Sequence, residues 1–222
     1  RTQNDASENR MINVSMNRGT TYAPFYDGWN QAFINSTLGG EPILYYTRDN
    51  SEPQNQCTDG QVIEDVRAGY VLVRDCDDVL IQNVTMTASS SLPIRVLITR
   101  NDTIRNVTVQ DINVDNADDT RIANVTATQE VGVDLFSSGT VIKDSTTRQI
   151  DFRNGPGRTY VENVTLTSTS STGCVYLGFA PNEHDLVNVT CPLGTRLFGG
   201  SQSFGTWNLT NVTFDKSAQP DF

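Results

Sequence analysis

Apolar and polar positions along this chain return in a short, recognisable unit. Ile81-Gln82-Asn83-Val84-Thr85-Met86 is followed by Ile104-Arg105-Asn106-Val107-Thr108-Val109 and by Ile122-Ala123-Asn124-Val125-Thr126-Ala127. Val161-Glu162-Asn163-Val164-Thr165-Leu166, Leu186-Val187-Asn188-Val189-Thr190-Cys191 and Leu209-Thr210-Asn211-Val212-Thr213-Phe214 continue it. Ile142-Lys143-Asp144-Ser145-Thr146-Thr147 is a degraded copy that fills the one gap. The anchors at 83, 106, 124, 144, 163, 188 and 211 recur every 18 to 25 residues and predict seven coils of a solenoid.

Parity within the unit says which solenoid. Side chains alternate along a strand, so inward residues are two apart, as Val107 and Val109 or Val164 and Leu166 are. Ile104 to Val107 is an odd step, and a flat strand would turn one of the two outward. A bend at the Asn repairs the parity, because Asn tolerates the left-handed backbone of a sharp corner better than other non-glycine residues. Each coil therefore reads as strand, Asn corner, strand. A further apolar run, such as Ile94-Arg95-Val96-Leu97-Ile98 or Val175-Tyr176-Leu177-Gly178-Phe179, supplies another face. The expectation is an all-β parallel β-helix over residues 61–222, preceded by a less regular section over 1–60. The last unit, Leu209 to Phe214, is as apolar as an interior one, and eight residues follow it. The expectation is that another copy covers this coil, the alternative being that the chain is a fragment without its cap; residues 1–30 are long enough to cover an end, their own or a neighbour's.

Gly39-Gly40-Glu41-Pro42-Ile43-Leu44-Tyr45-Tyr46, Asp59-Gly60-Gln61-Val62-Ile63 and Tyr70 through Thr85 carry a resemblance. Over residues 30–215 the chain resembles the right-handed parallel β-helix repeat proteins often described as periplasmic copper-binding, which are also common as archaeal surface proteins. The resemblance implies a right-handed helix. The chain departs from the family at residues 48–58, where an acidic Asn/Gln/Pro segment interrupts the usual join, and its coils lack the family's Gly-rich, doubled-Asn character. Copper is not carried over, because His184 stands alone and Met11, Met16 and Met86 are scattered.

Composition narrows the partners. In 222 residues, 26 Asp and Glu against 16 Lys and Arg give a net charge of −10, which disfavours nucleic acid and anionic membrane surfaces. No apolar stretch approaches the roughly 18 residues of a membrane span. The chain opens at Arg1 without a signal peptide, as a processed or partial chain does. Only Lys143 and Lys216 are lysines, and acid excess with scarce lysine resembles halophilic archaeal proteins; an ordinary acidic secreted protein is the alternative.

Four cysteines suit an oxidising compartment. Cys57 and Cys76, and likewise Cys174 and Cys191, are about one coil apart, which allows two disulfides; alternatively Cys191 simply fills the inward slot of Met86, Val109 and Leu166. Two acidic clusters, Asp75/Asp77/Asp78 and Asp115/Asp118/Asp119, are calcium candidates, with Arg74 and Arg121 as basic neighbours if catalysis were involved. Both precede a repeat unit, so solvated connecting loops are the leading reading, calcium binding the second and catalysis the last. His184, in Pro181-Asn182-Glu183-His184-Asp185, reads as a loop residue rather than a base.

Ten Asn-x-Ser/Thr sequons are glycosylation candidates and make N-glycans the expected modification. Asn83, Asn106, Asn124, Asn163, Asn188 and Asn211 belong to the repeat, which demands Asn at the corner, so partial occupancy is expected there. Asn13, Asn35, Asn101 and Asn208 stand apart and are expected to carry glycan. The Thr file of the repeat would suit an ice-binding face, but the Thr-x-Thr pair recurs irregularly. The function expected is non-enzymatic: an extracellular structural or surface protein, a subunit of a filament, sheath, surface layer or viral spike, with other copies of itself as partners. The alternative is a carbohydrate-active enzyme or carbohydrate-binding module, which would show a groove of converging carboxylates, arginines and aromatics.

Overall fold

The computed structural model describes residues 9–16, 31–48, 53, 56–86, 93–134, 136–169, 173–178, 182–200 and 205–215. It is a right-handed parallel β-helix of about eight turns, with three faces that we call A, B and C. Face A stacks Val62–Glu64, Leu80–Gln82, the first halves of Thr103–Val109 and Arg121–Asp134, then Thr140–Lys143, Thr159–Glu162, Glu183–Val187 and Thr206–Thr210. Face B carries the Val-Thr half of each unit, from Arg67–Ala68 and Thr85–Met86 to the bridges at Thr190 and Thr213. Face C stacks Glu41–Thr47, Tyr70–Arg74, Ile94–Leu97, Ile112–Asp115, the ends of Arg121–Asp134 and Thr146–Phe152, then Val175–Leu177 and Phe198–Gly200. Neighbouring coils pair in parallel throughout these three faces.

The corner between A and B is the Asn of the repeat. Asp65, Asn83, Asn106, Asn124, Asp144, Asn163, Asn188 and Asn211 all adopt left-handed backbone, with φ between 49° and 54°. The odd step is resolved as parity requires: Ile104 and Val107 are both buried while Asn106 between them is exposed. Asp65 is an eighth anchor, in Ile63-Glu64-Asp65-Val66, where Asp in place of Asn hid the copy. Side-chain amides link the corners into two runs. Asn83 donates to Asp65 at 2.9 Å and Asn106 to Asn83 at 3.4 Å. Asn163 donates to Asp144 at 3.0 Å, Asn188 to Asn163 at 3.0 Å and Asn211 to Asn188 at 3.2 Å. Each run starts at an Asp, which accepts but cannot donate. In the degraded copy, Ser145 takes the Val position and remains buried because its hydroxyl accepts from the Val125 amide at 3.1 Å and donates to the Lys143 carbonyl at 2.6 Å.

Inward residues stack into apolar files from coil to coil, for example Ile63, Ile81, Ile104, Ile122, Ile142, Val161 and Leu186, all buried. Burial of such files supplies the main stabilisation, at about 25 cal/mol per Å² of apolar surface. Both disulfides form: Cys57–Cys76 with Cα atoms 6.3 Å apart, and Cys174–Cys191 with Cα atoms 6.1 Å apart. Cys191 also fills the inward slot, so both readings of it hold.

Stacking reaches further towards the N-terminus than the repeat does. Glu41–Thr47, within the section set apart as 1–60, already pairs in parallel with Tyr70–Arg74. Asn9–Ile12 pairs with Gln31–Ile34, and Ser15–Met16 with Thr37–Leu38, again in parallel. Here Ile12-Asn13-Val14-Ser15-Met16 and Ile34-Asn35-Ser36-Thr37-Leu38 echo the repeat unit, with Asn13 and Asn35 left-handed at φ 55° and 48°. Phe33 and Leu38, with Met11 and Met16, pack against Ile43, Tyr45, Tyr70 and Leu72 in a second core. Those last four residues alternate with Leu44, Tyr46, Val71 and Val73, which face the main core. The described N-terminal residues thus cover the outer side of face C in its first coils; of the stretch 1–30 expected to cover an end, only 9–16 lie within the described residues.

Candidate functional site: a cleft at two corners and an acidic pit on face C

Two further corner files join C back to A. The first holds Asp75, Ile98, Asn116, Phe136 and Asn154, the second Gly60, Asp78, Asn101, Asp119 and Gly139, all with positive φ. Ile98 and Phe136 are unusual there, since a β-branched or bulky side chain crowds the backbone in that conformation.

Between these corners lies an open cleft of about 560 Å³ lined by Arg48, Asp75, Asp77, Ile98, Thr99, Arg100, Asn116 and Asp118. Stacking brings members of both acidic clusters together here. Arg48 is fixed by its Nε donating to the Asp75 carbonyl at 2.6 Å and by an ion pair with Asp59, and Arg74 pairs with Asp75 at 2.9 Å. Asp78 and Asp119 occupy corners instead, and Arg121 is exposed on face A. Asp115 departs from the solvated-loop expectation: it ends the strand Ile112–Asp115, is buried, and pairs with Arg95 on the outer side of face C. Among the described residues no three His, Cys, Asp or Glu side chains are grouped so as to hold a metal ion.

The second feature is a pit of about 70 Å³ on the outer side of face C, lined by Arg95, Asn113, Asp115, Glu130, Gly132, Asp134, Asp151 and Arg153. Register builds it. Arg95, Asn113, Gly132 and Asp151 succeed one another across four strands, and Asp115 and Asp134 are paired two residues further along. Asp151 is 2% exposed; one carboxylate oxygen pairs with Arg153, and Oδ1 has no hydrogen-bond partner among the described residues. Burial raises its pKa to about 6, against the pull of Arg153. Burial likewise pushes Asp115 upward, against Arg95. No sequence pattern singled out Asp151 or Glu130, because they join Asp115 only through coil stacking.

His184 corrects the loop reading. It lies in the strand Glu183–Val187, fully buried, with its ring clustered against both Phe152 and Trp207 at centroid distances of 4.9 and 4.5 Å. Neither ring nitrogen has a hydrogen-bond partner among the described residues, and burial lowers its pKa to about 4. The polar segment Asn182-Glu183-His184-Asp185 looks like a loop, but a strand begins at Glu183 and is paired in parallel on both sides from His184 onward.

The repeat asparagines Asn83, Asn106, Asn124, Asn163, Asn188 and Asn211 are exposed, as are Asn13, Asn35, Asn101 and Asn208. The separation of the last four from the corners holds only for Asn208, whose Nδ2 donates to Asp185 at 2.9 Å; Asn13, Asn35 and Asn101 are left-handed corners themselves. Comparison with known proteins adds no relative: no protein-family model matches the chain, and no curated protein or solved structure does.

Proposed function

We propose that this chain is a non-enzymatic extracellular structural protein, a rigid, glycosylated β-solenoid subunit of a filament, sheath, surface layer or viral spike, with other copies of itself as partners. The observation that carries this reading is where the two disulfides sit. Cys57–Cys76 ties the first coils and Cys174–Cys191 ties late ones. Each bridge cross-links one coil to the next, which restrains local opening of the stack where it sits. Disulfides also persist in oxidising compartments, and no helix among the described residues is long and apolar enough to cross a membrane. Immunolabelling of intact cells or particles combined with negative-stain imaging tests the reading. Label on unpermeabilised surfaces, on rods or sheets, is expected; label that requires permeabilisation overturns it.

A second reading, a carbohydrate-binding or carbohydrate-cleaving solenoid, is favoured by the corner cleft. Its volume of about 560 Å³ falls within the range of small-ligand sites, and Asp75, Asp77 and Asp118 converge there with Arg48 and Arg100. Titration with neutral oligosaccharides, with Asp118→Asn as the control, decides it: binding that the variant weakens supports this reading, and no binding dismisses it.

A further inference from the structure

We propose that the acidic pit on the outer side of face C is a binding site for a primary ammonium group on a flexible chain, that is, a lysine side chain or an aliphatic polyamine. This goes beyond a structural role, and it gives the solenoid a specific point of attachment.

Charge comes first. Four carboxylates, Asp115, Glu130, Asp134 and Asp151, face two guanidiniums, Arg95 and Arg153, so the pit carries a net negative charge. Both guanidiniums are engaged: Arg95 with Asp115, and Arg153 with Asp151 and, at 3.5 Å, with Glu130. Asn154 holds Asp134 through a 2.8 Å hydrogen bond. What is left is an acceptor without a donor, Oδ1 of Asp151, on a side chain only 2% exposed. Leaving such an oxygen unmatched is costly, and an N–H donor with positive charge removes that cost most effectively.

Shape comes second. Gly132 stands in register between Asn113 and Asp151. A Cβ at Gly132 would lie 2.9 Å from Asn113 Oδ1, so glycine keeps the floor open and leaves the Asn113 amide beside the gap. Asp151, Asn113 and Glu130 all line the gap, and their side-chain oxygens supply acceptors of the kind that the three N–H donors of an ammonium group require. A volume of about 70 Å³ is that of two or so waters, enough for an ammonium tip and far below the roughly 300 Å³ of a site for a whole small molecule. The chain's Lys143 is engaged elsewhere, with Glu162 at 2.6 Å on face A.

Calorimetric titration of the full, disulfide-intact chain at neutral pH tests the proposal. The probes are cadaverine, Nα-acetyl-lysine amide, glucosamine, tetramethylammonium and calcium chloride. Cadaverine or the lysine amide should bind at one site, with tetramethylammonium, which lacks N–H donors, at least about tenfold weaker. The stronger of the first two identifies the source. Asp151→Asn and Gly132→Ala, each shown to be folded by circular dichroism, should each weaken binding about tenfold or more; if Gly132→Ala does not fold, Asn113→Ala takes its place. Equal affinity for tetramethylammonium, tighter binding of calcium or glucosamine, unchanged affinity in the variants, or no amine binding at all overturns the proposal.

Discussion

The imidazole of His184 lies against the indole of Trp207 one coil further on, ring centroids 4.5 Å apart and planes 26° apart. Register makes them neighbours, since Thr140, Thr159, His184 and Trp207 form one inward file of face A. This file places hydroxyls and an imidazole inside an otherwise apolar stack, and polar atoms of Thr140 and His184 have no hydrogen-bond partner among the described residues.

That burial sets the pH response. His184 titrates near 4 when folded, below its usual 6.5, so it favours the fold fully above about 6.5 and loses that contribution as pH falls towards 4. Asp102, Asp111 and Asp151 behave oppositely: burial raises each to about 6. The folded chain therefore takes up protons as pH falls through 6, and their stabilisation is complete only below about 3.8. Three groups outweigh one. Urea unfolding should show stability rising as pH falls from 7 to 5, by on the order of 1 kcal/mol per unit. His184→Phe should steepen that rise; a flat profile in both proteins would contradict it.

Strand parity makes a sharper prediction. Val164 is buried and Thr165, its neighbour, is exposed. Val164→Asp should cost several kcal/mol by burying an unpaired charge, whereas Thr165→Asp should stay within about 1 kcal/mol. Equal loss at the two sites, read from chemical denaturation, would refute the corner.

Asp144 interrupts the amide ladder, because it accepts from Asn163 but has no N–H to offer Asn124. Asp144→Asn should extend the second run by one corner, to Asn124, and stabilise the chain by about 0.5–1.5 kcal/mol, the usual net value of one hydrogen bond. Thermal unfolding would show this as a rise in Tm, and a fall would show that Asp144 is needed as an anion.

Phe136 holds a left-handed corner with φ 64° while 72% exposed. Little packing is lost on replacing it, and Asn relieves about 1–2 kcal/mol of backbone crowding. Phe136→Asn should raise Tm by about 2–4 °C per kcal/mol gained. An unchanged or lower Tm would show that the exposed ring makes contacts the fold depends on.

Glycans should follow corner spacing. Stacked corners stand about 4.8 Å apart, too close for sugars on successive coils. Intact-glycopeptide mass spectrometry should find glycan at Asn208 and at isolated corners, and it should not find full occupancy at Asn163, Asn188 and Asn211 together. Asn13 and Asn35, stacked upon each other, should exclude one another as well.

Much of the fold was legible because it is encoded locally. The odd step from Ile104 to Val107 around Asn106 needs only strand alternation and a residue that tolerates left-handed backbone, and both are properties of six consecutive residues. The one-coil separation of the cysteines followed from the same period. Asp65, Asn13 and Asn35 escaped because their units are degraded while their corners are kept. The cleft and the pit were not legible. Asp151 meets Glu130 and Asn113 because coils of 18 to 25 residues bring particular residues into register across face C. His184 became a buried strand residue, and Asp115 a buried partner of Arg95, for the same reason. Tertiary structure decided these sites because each loop's length sets which outward residue lies beside which, and no local pattern of apolar and polar positions contains that distance.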